Sequence, residues 1–245
     1  QPMTIKKGNT SYTIVYNGEL YNTNELRDEL LSFGYHFRGH SDTEVLLTAF
    51  IHWGESCLEK LNGIYAFGVW NDTSKTLFLA RDRMGVKPLF VYTYSDGIIF
   101  GSELKTLLAN PLVKPRIDND GLKEIFLLGP GRTSGKGVIK GVTELKPGEF
   151  LVFEKNLGWK IRNYWSLKAN EHTDDVKTTI EKTRFLITDA VKRQLVSDVP
   201  LCCFLSGGLD SSIISKIASD IYLSDNKGRL HTYSVNYIDN QQYFV

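Results

Sequence analysis

Only three cysteines occur in 245 residues, Cys57, Cys202 and Cys203. An odd number, with two of them adjacent in an apolar run, excludes a disulfide framework and suits reduced thiols in a core; no CxxC pair offers a zinc site. Histidine is sparse too. His36, His40, His52, His172 and His231 lie scattered, without HExxH spacing, so histidine ligation of a metal is not expected. Neither sign of charge dominates: 29 basic against 28 acidic residues give a formal net charge of +1, without long single-sign runs. That excludes a nucleic-acid stripe or a membrane-binding patch as a design principle. No apolar run approaches the roughly 18 residues that suggest a membrane span, and Gln1-Pro2-Met3 does not open a signal peptide. A cytoplasmic protein is expected, with neither nucleic acid nor membrane as a partner. What is present is ordinary for core-forming protein, 42% hydrophobic and 23% charged, enough chain for one large domain or two modest ones.

The first two-thirds reads as strands, hairpins and two helices. Ser11 to Tyr16 is β-prone, Asn17-Gly18 is a turn signal, and Asn24 reads as the cap of an amphipathic helix, Glu25 to Phe33, that Gly34 ends. Asp42 to Trp53 carries Val45, Leu46, Ala49, Phe50 and Trp53 at helical spacing, and Gly54 stops it. From Tyr65 to Phe100, short β-prone runs alternate with Asn71-Asp72, Met84-Gly85 and Asp96-Gly97, the pattern of an antiparallel meander. Phe150 to Glu154 and Lys160 to Trp165 form a hairpin expected to join the same sheet. The polar stretch Lys168 to Asp175 reads as a linker, with residues 169–175 dividing a domain over 1–168 from the start of another over 176–245. Beyond it, a long helix from Val176 stops before Pro200, followed by an apolar strand Leu201 to Leu205, a helix Ser211 to Ile221 and a strand Leu230 to Tyr237. That order is the βαβ opening of a parallel sheet.

Between that strand and helix stands Ser206-Gly207-Gly208-Leu209-Asp210-Ser211-Ser212. A polyphosphate needs convergent N–H donors and close backbone approach. Paired glycines remove side-chain obstruction, the helix N-terminus faces the anion, and Ser206, Ser211 and Ser212 add hydroxyls. A plain glycine-rich strand-to-helix turn is the bland alternative, which the complete string disfavours. It is not GxxxxGK[ST], since no lysine follows. The string resembles the SGGxDS loop of the N-type ATP pyrophosphatases. The resemblance implies ATP and Mg2+ as cofactors, with Asp210 near the metal and phosphates.

Tyr16-Asn17-Gly18-Glu19-Leu20-Tyr21-Asn22 is weak by itself, because Asn-Gly is most often a hairpin turn. Chemically, an Asn side-chain N–H beside a Gly backbone N–H can also stabilise the oxyanion of amide hydrolysis. The strings YNGELYN, SDTEVLLTAF, LNGIYAFGVW, ARDRMGVKPLF and FGSELKTLL, in that order over residues 1 to 108, resemble the class II glutamine amidotransferases of the asparagine synthetase family. The resemblance implies an α/β protein: an N-terminal-nucleophile αββα sandwich, here incomplete, followed by the start of an α/β ATP-pyrophosphatase domain. It assigns Asn17 and Gly18 to the oxyanion hole, Glu19 to holding glutamine, and Asp42 to its α-amino group, where a helix-terminal carboxylate pairs with an ammonium. A plain N-cap is the alternative for Asp42. Phe204 and Val235 fall where family members contact the adenine nucleotide through their backbone. Arg81, Asp82, Arg83 and Lys87 read as a salt-linked turn and Cys57 as a packed thiol.

The family begins with a catalytic cysteine, followed by an arginine-containing segment that binds the glutamine carboxylate. This sequence begins at Gln1 and stops at Val245. On the resemblance it is therefore expected to be an internal piece, inactive alone, of an enzyme that amidates aspartate with ammonia from glutamine through β-aspartyl-AMP. A β-lactam synthetase-like ligase with another acceptor is the runner-up. An amidotransferase acting on a sugar phosphate is opposed by the SGGLDSS loop, and a catalytically dead binding module by the retained site residues. Glutamine, aspartate and ATP are the implied partners. Homodimers are common in the family, although no interface is legible in the residues.

Overall fold

The computed structural model describes residues 1–129, 131–197 and 199–235. The chain divides into two compact units, Gln1–Lys168 and Ala169–Val245. The first unit opens with β1 (Met3–Lys7), β2 (Thr10–Leu20), α1 (Thr23–Ser32), α2 (Asp42–Trp53) and the short α3 (Cys57–Lys60). It continues through β3 (Gly63–Asn71), β4 (Thr76–Arg81), β5 (Phe90–Tyr94), β6 (Gly97–Gly101), α4 (Leu104–Leu108) and α5 (Asn119–Leu128). It closes with β7 (Val142–Glu144), β8 (Glu149–Glu154) and β9 (Gly158–Asn163).

Six of these strands form an antiparallel sheet in the order β1-β2-β3-β4-β8-β9, and three form a second in the order β6-β5-β7. Alternation along the strands builds the layers, because successive side chains leave a strand on opposite faces. On β4 and β8, Phe78, Ala80 and Phe150 face a core shared with Leu26 and Leu30 of α1, Val45, Leu46, Leu47 and Ala49 of α2, and Cys57 and Leu58. Leu77, Leu79 and Leu151 face the other way, onto Leu89, Val91 and Leu145 at the second sheet. The far side of that sheet, Phe90 and Val142, packs on Leu107 of α4 and on Val113. The first unit is thus the expected four-layer αββα sandwich.

Several local expectations change. The runs from Tyr65 to Phe100 are not one meander: β4 pairs with β8, and β5–β6 belongs to the second sheet. Among the described residues of this unit five helices stand where two were expected; α3 and α4 are too short to show a helical period, and the sequence reading misses α5, ten residues capped by Asp118. Asn24 does not cap α1. Its N-cap is Asn22, whose amide instead bonds Lys60 O and Asn62 N, both at 2.9 Å. The Arg81–Lys87 turn is held differently from the salt-linked run expected: Arg81 pairs outside it, with Glu144 at 3.1 Å, and donates to Lys87 O and Gly85 O, while Asp82 accepts from backbone N–H groups.

In the second unit, α6 (Val176–Arg193) is capped by Asp175, which accepts from Thr178 N at 2.7 Å. Then follow β10 (Cys202–Phe204), α7 (Leu209–Ser224) and β11 (His231–Tyr233). β10 and β11 pair in parallel, Cys203 opposite Thr232, so the βαβ order is as read. The second strand ends sooner than expected, and the Asn236-Tyr237 part of that expectation lies outside the described residues. Cys202 is exposed and Cys203 half-buried, not core thiols. The physical reason is that a two-stranded parallel ladder has few neighbours to cover both of its faces.

Candidate functional sites

The first candidate site lies on β2. The Asn-Gly pair is not a turn: β2 runs straight through it, pairing Asn17 with Ala66 and Gly18 with Tyr65 of β3. Ladder hydrogen bonds outweigh the local turn preference of the dipeptide. Gly18 is required for a different reason. A Cβ there would land on Ile64 O and lie 2.8 Å from both the Tyr16 ring and Tyr65 Cα. The strands approach so closely that only glycine fits. Asn17 and Glu19 are exposed on one face of β2, while Tyr16 and Leu20 are buried on the other. The Asn17 amide makes no side-chain hydrogen bond among the described residues, which leaves its N–H groups available to a ligand.

Asp42 is the first residue of α2, and the cap is Ser41, whose hydroxyl accepts from Thr43 N at 3.2 Å. Asp42 Oδ1 accepts from the same N–H at 2.7 Å, and Oδ2 accepts from the Tyr16 hydroxyl at 3.1 Å. The carboxylate is half-buried; Oδ1 also accepts from the Thr43 hydroxyl at 3.5 Å, so the free lone pair is on Oδ2. Just ahead of it, the loop is pinned by Glu44, whose carboxylate accepts from Arg38 N at 2.9 Å and Gly39 N at 3.0 Å. Tyr16 and Glu44 had been given no role. Tyr16 lies inside the quoted YNGELYN string, but nothing in sequence spacing shows that its hydroxyl reaches residue 42. Burial, followed by the neighbouring Asp42 charge, raises the Tyr16 phenol well above its ordinary value, so it is a neutral donor.

Cys57 is buried, and that burial pushes its thiol up to about 12, the opposite of an activated nucleophile. Among the described residues no group of His, Cys, Asp and Glu could hold a metal, and no helix is long and apolar enough to cross a membrane.

The second candidate site is the Ser206–Ser212 loop. Gly207 has φ +83, a left-handed conformation that an L side chain rarely adopts, and Gly208 is the N-cap of α7. No side chain caps this sixteen-residue helix, so its first-turn N–H groups have no internal partner. The hydroxyls converge: Ser206 Oγ lies 3.1 Å from Ser211 Oγ, while Ser211 and Ser212 donate to Gly208 O at 3.1 and 2.8 Å. Ser206, Gly207, Gly208, Leu209, Asp210 and Ser212 are all exposed, as are Phe204 and Val235. Uncapped N–H groups and no side-chain obstruction make a donor set that fits a polyphosphate, the Ser211 and Ser212 hydroxyls being turned onto Gly208 O, and Asp210 in the first turn offers one exposed carboxylate oxygen pair for a hydrated Mg2+. Leu205 N donates to Tyr233 O at 2.8 Å, which extends the parallel ladder to the foot of the loop.

The first unit is an αββα sandwich that carries a strand-borne Asn-Gly pair and a helix-terminal carboxylate, and comparison with known proteins gives its class. The chain belongs to the glutamine amidotransferase domain family, which matches residues 1–165. Residues 182–243 match the asparagine synthase family. Over 244 residues the chain is 51% identical to asparagine synthetase [glutamine-hydrolyzing] 3 of Bacillus subtilis, covering 100% of this chain and 40% of that protein. It is 36% identical over 228 residues to the putative asparagine synthetase [glutamine-hydrolyzing] 2 of Methanocaldococcus jannaschii, covering 91% of this chain and 43% of that one. The chain therefore spans less than half the length of these curated relatives. Among solved structures, the glutamine phosphoribosylpyrophosphate amidotransferase of B. subtilis aligns over 100% of this chain and 50% of its own, at 19% identity and a TM-score of 0.48.

Proposed function

We propose that the full-length protein is an ATP-dependent, glutamine-hydrolysing asparagine synthetase. The observation that carries this reading is the pairing in one chain of an amidotransferase domain with an uncapped SGGLDSS helix start inside an asparagine synthase match. In the reading, a cysteine thiol attacks the glutamine amide carbon and Asn17 and Gly18 receive the oxyanion. The thiol proton passes to the nitrogen as the C–N bond breaks and ammonia leaves, and water hydrolyses the thioester to glutamate and the free thiol. Cys57 is not that thiol, because it is buried and its proton is held up to about 12. Asp42 takes the substrate ammonium on a free lone pair, and Glu19 helps to hold the substrate.

At the second site, N–H groups of residues 206–212 hold the ATP phosphates, with Phe204 and Val235 beside the nucleotide. A β-carboxylate oxygen of aspartate attacks the α-phosphorus, and the bond to pyrophosphate breaks, giving β-aspartyl-AMP. Ammonia then attacks the acyl carbon; the acyl C–O bond breaks, AMP leaves with its electron pair, and a proton is lost as asparagine forms. Mg2+, when bound near Asp210, neutralises charge on the leaving pyrophosphate. Residues 1–168 and 176–245 serve as the two functional domains, joined by 169–175. Glutamine labelled with 15N in its amide, supplied with ATP, Mg2+ and aspartate, should yield 15N-asparagine and equal AMP and pyrophosphate. Label recovered only as free ammonia, with no amide product, would remove the synthetase half of the reading.

A further inference from the structure

The hydrogen bond between Tyr16 and Asp42 joins two elements that the proposed glutamine site uses. Tyr16 directly precedes Asn17 on β2, and its ring is buried against the helix layer, 8% exposed. Its backbone is fixed on both sides. On one side Tyr16 N–H donates to the Gln1 amide oxygen and Tyr16 C=O accepts from the Gln1 amide nitrogen, both at 2.7 Å, and on the other side the residue lies opposite Phe67 of β3. The hydroxyl therefore sits at a set place and donates to Asp42 Oδ2 at 3.1 Å, while Thr43 N holds Oδ1. A carboxylate gripped on both oxygens cannot rotate about its last bond. The free lone pair on Oδ2 then points in one direction, as a site for a single ammonium requires.

We propose that Tyr16 is a positioning residue for glutamine recognition: its hydroxyl orients the Asp42 carboxylate towards the substrate α-ammonium and holds that carboxylate at a fixed span from Asn17 and Gly18, which meet the substrate's other end. The proposal rests on the reading of Asp42 as the α-amino ligand. Glutamine is then measured twice by one strand, through the oxyanion donors at residues 17 and 18 and through the orientation imposed from residue 16. Removing the hydroxyl lets the carboxylate turn, and the loss falls on substrates that carry an α-amine.

The test is selectivity. Steady-state glutaminase kinetics of the full-length protein are compared for glutamine and for glutaramate, the same amide without the α-amine, in the wild type, Tyr16→Phe and Asp42→Asn. Tyr16→Phe keeps the buried ring and removes one oxygen. Its glutamine-to-glutaramate ratio of kcat/KM should fall about three- to tenfold, the loss of one hydrogen bond to a charged group seen indirectly, with the change in KM for glutamine and not in kcat. Ammonia-dependent synthesis, which bypasses this site, should be unchanged. A purely structural Tyr16 lowers both substrates equally and leaves the ratio intact, which overturns the proposal. Should Asp42→Asn collapse the ratio while Tyr16→Phe does not, the Asp42 reading stands and the Tyr16 proposal falls. An unchanged ratio in Asp42→Asn removes the reading itself, and the proposal with it.

Discussion

Asp82 is 1% exposed and sits where β4 leaves the main sheet, and replacing it with asparagine gives a stability loss whose size can be worked out. Its Oδ1 accepts from Met84 N at 3.1 Å and Val86 N at 3.0 Å; its Oδ2 accepts from Lys87 N at 3.0 Å and Tyr65 N at 3.3 Å. Four backbone N–H groups from a turn and from β3 thus converge on one carboxylate. Asparagine has almost the same shape, so no cavity opens. Whichever way its amide faces, an NH2 group meets two of those donors. Two hydrogen bonds to a charged acceptor are lost and two backbone N–H groups are left facing a donor, which costs about 3–6 kcal/mol at ~1.5–3 kcal/mol each. Against the ~5–15 kcal/mol that holds a domain together, that is a large fraction. All four tryptophans, Trp53, Trp70, Trp159 and Trp165, lie in the first unit, so their fluorescence during urea unfolding of the 245-residue chain reports on that unit alone. Asp82→Asn should move the midpoint far down with the slope unchanged, whereas Asp72→Asn, at an exposed Lys75 pair, should leave it in place. A loss below about 1 kcal/mol for Asp82→Asn would refute the assignment of these hydrogen bonds as the turn's support.

Gly18→Ala should destabilise the first unit by at least about 2 kcal/mol in the same assay, because the added methyl meets backbone on β3 and cannot be relieved by a side-chain shift. Stability should fall above about pH 9. Cys57, raised from 9.0 to about 12, and the raised Tyr16, Tyr65 and Tyr164 all ionise earlier in the unfolded chain than in the folded one, so unfolding releases protons and is favoured by alkali. Urea midpoints that stay level from pH 9 to 11 would contradict that burial. A thiol reagent should modify exposed Cys202 quickly in the native chain and Cys57 only after unfolding; mass spectrometry of the labelled peptides decides it. Gly207→Val should weaken ATP binding by the full-length protein roughly tenfold or more, since φ +83 disfavours a β-branched residue by over about 1 kcal/mol and its side chain would stand in the loop mouth. Unchanged affinity would show that the loop is not the phosphate site.

What the sequence shows well is what depends on neighbours in the chain. Strand 202–204, the glycine turn and helix 209–224 follow from a change of apolar period over thirty residues, and α2 from its spacing and the Gly54 stop. Layering was legible only through resemblance. That β4 should turn from β5 to pair with β8, seventy residues on, is a long-range choice with no local mark, so β3 to β6 read as one meander. Asn17-Gly18 misleads for the same reason: the dipeptide favours a turn, but pairing with Ala66 and Tyr65 holds it extended, and the need for glycine comes from β3's proximity rather than from its own φ. At the candidate sites, residue types pointed to the loop and to Asp42. The hydroxyl that grips Asp42 came from a residue twenty-six positions away, and only tertiary structure brings those two groups together.

The central claim is tested most directly by pyrophosphate release from the full-length protein given ATP, Mg2+ and glutamine, with aspartate or with each of a panel of other carboxylates. The account predicts release that requires aspartate and is matched by asparagine formed. Release that ignores aspartate and follows another carboxylate, or no release with any acceptor, would contradict it.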